Sequence, residues 1–245
     1  MLDISPTEWT AILLSLRVAT IATLVATPIG IAVAWLLARR DFWGKAFVDA
    51  LIYLPLVLPP VVTGYLLLLT FGRRGLVGAW LADHLGIVFA FRWTGAALAC
   101  GVMSFPLLVR PIRLSIEAVD RRLEQAAATL GAAPWRVFLT VTLPLALPGV
   151  LAGMVLGFAK AIGEFGATIT FVSNIPGETQ TISSAIYSLI QTPDGDTAAL
   201  RLVLVSIFIA TAALRMVVVS ILIAMAALVA SEWFARRANA RLHGN

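Results

Sequence analysis

Apolar residues run almost unbroken from Val18 to Ala38, Leu51 to Phe71, Trp93 to Val109, Leu143 to Val172 and Leu202 to Ser231. A helix needs roughly 20 mainly apolar residues to cross a bilayer, so the pattern predicts five membrane-spanning helices. The third run is short, and the last two carry internal charges. Asp3 and Glu8 precede the first run where a secretory signal has a positive cluster, and no cleavage pattern follows, so this run reads as a retained span. The expected fold class is all-α: a polytopic helical membrane protein in which residues 1–245 form one transmembrane domain.

The interval from Arg110 to Thr142 has a different rhythm. Ile116, Val119, Leu123, Ala126, Ala127 and Leu130 recur at helical spacing, with Glu117, Asp120, Arg121, Arg122 and Glu124 on the other faces. This predicts an amphipathic helix between the third and fourth spans, stopped by Gly131 in a left-handed position and restarted with Pro134 in a first turn. A surface helix lying flat at the membrane interface has the same periodicity.

Composition agrees with the spans. The chain is 60% hydrophobic and 13% charged, with a mean hydropathy of +0.95, too little polar surface for a water-soluble globule of this length. The net charge of +5 is distributed by membrane side and not gathered on one face, which excludes nucleic acid as a partner. Arg39, Arg40, Lys45, Arg110, Arg113, Arg121, Arg122, Arg136, Arg236, Arg237 and Arg241 share one side, and Arg73, Arg74 and Arg92 lie between spans on the other. The positive-inside rule then places the N-terminus outside and the C-terminus in the cytoplasm, so 112–136 is a cytoplasmic loop. Two outer loops, 72–92 and 173–201, are long enough to meet an external protein.

Residue identity within the cytoplasmic loop is more specific than its periodicity. Gln125-Ala126-Ala127, Gly131 and Leu143-Pro144 resemble the loop motif of binding-protein-dependent ABC permeases, in which Glu-Ala-Ala precedes a glycine and then Leu-Pro. The resemblance implies a type I ABC importer permease fold. It also implies that Glu124, Gln125, Ala126, Ala127, Gly131 and Pro144 form a coupling helix docked on an ATP-hydrolysing subunit. Small alanines let a partner approach the backbone, and the glycine lets the helix project. Gln125 stands where the family has an acid, so coupling is expected to rest on shape and not on a carboxylate.

In the fourth span Gly149, Gly153 and Gly157 repeat a small-xxx-small pattern that lets helices pack backbone to backbone. Lys160 and Glu164 lie four apart, forming either an internal ion pair or a polar lining of a path. The stretch from Gly163 to Thr179 resembles molybdate permeases, and sulfate and thiosulfate permeases share a shorter part of it around Gly163 to Gly166. Gly163, Ala167, Thr170 and Asn174 would present one small or polar face to a path for an oxyanion. The resemblance implies an importer of molybdate, or of tungstate, which is close to it in size and shape, with a sulfate or thiosulfate permease as the alternative. The implied partners are a second permease copy, two ATPase subunits that hold ATP and Mg, an extracytoplasmic molybdate-binding protein and membrane lipid.

No catalytic, metal or cofactor site is expected in this chain. Gly44-Lys45-Ala46 lacks the hydroxyl and upstream glycine of a nucleotide-binding loop. His84 and His243 lie outside the spans, and Cys100 is a packing residue. An ion-driven secondary transporter would show paired inverted halves, and a membrane enzyme would show a nucleophile with its base, or a metal cluster. The chain has neither signature.

The last run holds an oddity: residues 200–213 and 214–227 are a 14-residue tandem repeat with ten identities. A helix from Leu202 to Ser231 would be about 45 Å long, beyond the roughly 30 Å core. The second copy, from Met216 to Ser231, is expected to be the span, with Arg215 at the outer interface and the first copy above it. A short sixth span is the alternative.

Overall fold

A computed structural model describes the backbone of residues 4–242 and the side chains of residues 4–216, 218, 219 and 222; His243 falls outside. Among the described residues all regular structure is helical. Helix α1 (Pro6–Arg39) opens on a reciprocal cap, Ser5 Oγ accepting from Glu8 N at 3.2 Å and Glu8 Oε2 from Ser5 N at 2.6 Å. Pro6 occupies the first turn, where its missing N–H costs nothing. There follow α2 (Lys45–Val57), α3 (Pro60–Phe71), α4 (Leu76–Leu85), α5 (Trp93–Ala118), α6 (Arg121–Thr129) and α7 (Pro134–Val137). A π-helical turn, Phe138–Thr142, leads into α8 (Leu143–Ile162), then α9 (Gly166–Val172), α10 (Ile182–Leu189) and α11 (Asp196–Leu242).

Two of the expected spans are corrected. The run from Leu51 to Phe71 is not one straight helix: α2 and α3 meet at a bend of 116°. Consecutive Pro59 and Pro60 supply no amide hydrogens and force Leu58 into an extended conformation, so the helix must stop there. The run from Leu143 to Val172 is not one helix: α8 ends at Ile162, and the non-helical Phe165 precedes α9. Four described helices are long and apolar enough to cross a membrane, and the bent pair makes five. The two loops expected outside, 72–92 and 173–201, hold α4 and α10.

Helix α5 is the central post, packed on α1 and on α8. Its middle sits in one apolar cluster with Val18, Ala22, Ala96, Cys100, Met103, Ala167 and Phe171. Nearer the end that carries α6, Leu37, Ile52, Leu108, Ile112, Ala146 and Val150 form a second. At the opposite end Ala11, Ile12, Ile182, Ala185 and Leu202 form a third, sealed by Ile182 N donating to Ser15 Oγ at 2.7 Å. Large apolar side chains such as Leu24, Leu69 and Phe208 remain exposed, as expected of a surface that meets lipid or partner helices.

The repeat forms no sixth span, because α11 continues unbroken through both copies. Its first copy is no free extension either. Leu202, Val205 and Ile209 pack into the third cluster beside α10 and the first turns of α1. Ala213 and Met216, at the junction of the copies, share a groove with Thr20, Leu24, Met154 and Phe158. The junction thus stands opposite the part of α1 where its apolar run begins.

Candidate coupling elbow and translocation site

The elbow is built by caps. Val119 is extended, and Asp120 Oδ1 accepts from Arg122 N at 2.9 Å, so the expected single helix from Ile116 to Leu130 is divided between α5 and α6. At the far end of α6, Gly131 N donates to Ala128 O at 3.0 Å and Ala132 N to Ala127 O at 3.2 Å. With Gly131 at φ +87°, this is the paired 5→2 and 6→1 closure of a Schellman motif. The chain then restarts at Pro134, as its sequence predicts.

Glu124 holds the elbow in place. Its Oε1 accepts from Arg39 Nε at 3.2 Å, Arg39 Nη2 at 3.0 Å and Thr142 Oγ1 at 2.6 Å. Arg39 Nη2 also donates to Val119 O at 3.1 Å. One carboxylate oxygen therefore joins α6 to the C-terminus of α1 and to the turn before α8, while Arg39 adds the end of α5. The side chains of Arg39 and Glu124 are 9% and 19% exposed, and charge-assisted bonds in such a setting contribute about 1.5–3 kcal/mol. Sequence reasoning placed Glu124 on the helix expected to dock on an ATP-hydrolysing subunit and gave it no partner within the chain, because Arg39 lies 85 residues away.

Thr142 reaches Glu124 from the π-helical turn, and Pro144 accounts for that turn. Proline in a helix removes one amide hydrogen and presses on the carbonyl four residues back, here Thr140, so the preceding turn widens. Leu143 N accordingly bonds Phe138 O, five residues back. On the outward side of α6, Gln125 and Ala126 are exposed, Ala127 is half-buried, and Leu123, Leu130 and Trp135 are exposed apolar groups.

Between α5 and α8 a Cβ at Gly149 would lie 2.0 Å from Ser115 Oγ and 2.5 Å from Pro111 O, and one at Gly153 would lie 2.5 Å from Leu108 O. These two glycines let the helices touch at backbone distance. At Gly157 the nearest atom is an ordinary 3.5 Å away.

Beyond Gly157, Lys160 Nζ meets Glu164 Oε2 at 2.8 Å, and Glu164 Oε1 accepts from Ala167 N at 3.0 Å. The two residues form the internal ion pair; Glu164 is enclosed while Lys160 stays 30% exposed. Gly163, Ala167, Thr170 and Asn174 do not share one helical face, since only Ala167 and Thr170 lie on α9. Ala167 is fully buried, and both pack on Gly64 of α3. Asn174 Nδ2 donates to Ser188 Oγ at 2.6 Å, and its buried Oδ1 has no partner among the described residues. The two helix breaks adjoin: a Cβ on Gly166 would lie 2.7 Å from Pro60 Cβ.

The family model of the binding-protein-dependent transport system inner membrane component matches residues 26–240. The chain belongs to this permease family. The permease is 58% identical over 234 residues, 96% of each chain, to the "Molybdenum transport system permease protein ModB" of Escherichia coli (strain K12). It is 54% identical over 235 residues, again 96% of each, to the protein of that name from Haemophilus influenzae. A "Probable sulfate transport system permease protein cysT" from Chlorella vulgaris is 35% identical across 77% of this chain and 71% of its own. Among solved structures, a bacterial ABC transporter that imports the acidic polysaccharide alginate has the same fold, with TM-score 0.66 and 20% identity over 90% of the permease and 80% of that chain. The permease is thus a multi-pass membrane protein of ABC importers and not itself an enzyme.

Three features of the permease escaped the sequence: the Arg39–Glu124–Thr142 knot, the 116° bend, and the contact between the two breaks. Only the bend left a local signal, the Pro55, Pro59 and Pro60 cluster within an apolar run.

Proposed function

We propose that the protein is the permease subunit of an ATP-driven importer of molybdate, or of the similarly shaped tungstate, working as a homodimer with two ATPase subunits. A molybdate-binding protein delivers the anion outside, and ATP and Mg are held by the ATPases. The N-terminus faces outward and the elbow inward, the arrangement favoured by the lysine and arginine distribution. What supports the substrate is the 58% identity to a relative named for molybdenum transport. What supports the mechanism is α6, which has no buried residue yet is tied from beneath by Glu124.

Closure of the ATPases moves α6 through Gln125, Ala126, Ala127 and the Gly131 turn. Glu124 carries the displacement into α1 through Arg39 and towards α8 through Thr142. Lys160, Glu164, Gly163, Thr170 and Asn174, with the packing contact of Ala167, surround the adjoining helix breaks past which the oxyanion travels. Irregular backbone at membrane depth is tolerated where it is enclosed by protein or lines a water-filled path.

Energised membrane vesicles supplied with the binding protein should accumulate labelled molybdate. Sulfate uptake untouched by excess molybdate would overturn the substrate in favour of the second reading, a sulfate permease, which the 35% identity to the Chlorella vulgaris relative keeps in view. Gly131→Val, which forces a β-branched residue to φ +87°, should reach the membrane yet lose ATPase association and transport. Normal transport in that variant would remove the elbow from the coupling route.

A further inference from the structure

Between α1, the α2–α3 bend and α5 the helices stand apart around a groove of about 690 Å³. Ile21, Val25 and Ile29 of α1, spaced four apart, line one wall, and Gly101 of α5 lines another. One turn farther out on the same stripe is Arg17. Its Cζ lies 3.8 Å from the centroid of the Trp93 ring, and Trp93 itself lines the groove. Among the described residues no carboxylate lies within ion-pair distance of Arg17. Arg92, the exposed residue that precedes Trp93 in sequence, is a second cation at this end of α5. Thr63 also lines the groove, is 6% exposed, and its hydroxyl has no partner among the described residues.

We propose that this groove is a binding site for an anionic phospholipid, one acyl chain lying along Ile21, Val25 and Ile29 with the headgroup at Arg17 and Arg92. The length fits. Arg17 to Ile29 covers about 18 Å of helix, close to the ~15 Å depth of one leaflet. Arginine and tryptophan side by side mark the boundary between hydrocarbon and headgroups, and an anionic headgroup is drawn to cations there. An apolar helix from a second copy would fill the groove but leave Arg17 without an anion; a dissolved oxyanion would satisfy Arg17 but leave the apolar walls wet. Only an amphiphile meets both demands. The site depends on the chain spanning a membrane and not on which anion it imports.

Native mass spectrometry of the full-length permease assembly, extracted in mild detergent and exchanged with equal amounts of phosphatidylglycerol and phosphatidylcholine, tests this. The wild type should keep a bound phosphatidylglycerol on each protomer. Gly101→Leu points a side chain into the groove from a Cβ with no atom nearer than 3.9 Å, and should lower retention about tenfold. Arg17→Gln should still hold lipid but lose about fivefold of the preference for phosphatidylglycerol. Unchanged retention in Gly101→Leu, or unchanged preference in Arg17→Gln, overturns the site. Release of phosphatidylglycerol by millimolar molybdate would make the cations a cargo site instead. Separation of the protomers by Gly101→Leu with lipid retained would make the groove the seat of a second copy.

Discussion

Both ends of the bundle are tied by an arginine and a glutamate at 3.0 Å, yet the two knots are built differently. At the elbow, Glu124 directs one oxygen, Oε1, to both Arg39 and Thr142, so the whole contact is tertiary. At the opposite end Glu8 divides its work: Oε2 caps its own helix through Ser5 N, and Oε1 receives Arg201 at 3.0 and 3.3 Å. The first knot joins pieces that sequence keeps far apart, Arg39 in the last turn of α1 and Glu124 in the first turn of α6. The second secures a helix end before it secures a neighbour. A joint between moving parts needs the former; a fixed frame is served by the latter.

Substitutions can break this contrast. Arg39→Ala leaves Glu124 largely enclosed without its cation and should cost about 3 kcal/mol, read as a lower unfolding temperature in detergent, together with loss of transport. Glu8→Ala removes a capping partner, about 1 kcal/mol, and a charge-assisted bond of about 1.5 kcal/mol. Transport per folded molecule should survive it. If Glu8→Ala uncouples transport and Arg39→Ala does not, the roles assigned to the two ends are reversed. Thr142→Val sharpens the comparison at smallest scale: a loss of about 1 kcal/mol, with weakened stimulation of ATP hydrolysis by the binding protein. No change in stimulation would confine Glu124 to the α1 side.

The spans and the elbow were legible because each is a local pattern. Apolar runs announce α1, α5, α8 and α11, and Gly131 and Pro134 announce the turn between α6 and α7. Hydropathy does not register direction, however. The residues on both sides of Leu58–Pro60 are nearly as apolar as the rest, so that run appeared straight where the chain bends. Asp120 was counted as the polar face of one helix, although an aspartate just before a helical stretch caps it equally well. The site was less legible than the fold: Glu124 and Arg39 meet across 85 residues, and Ala167 and Thr170 spend their small surfaces on Gly64. Helical spacing alone cannot tell a face that meets a path from one that meets another helix.

The glycine seam between α5 and α8 has a consequence for how force spreads. The elbow is the chain segment that joins these two helices, and Gly149 and Gly153 press them together at backbone distance. Ser115 and the carbonyls of Pro111 and Leu108 lie against these glycines, a fit too close for the helices to slide past one another, so on the proposed coupling route the pair would move as one beam. On that route a pull on α6 would reach not the single helix that follows it but a two-helix lever, whose far end carries the Lys160–Glu164 pair.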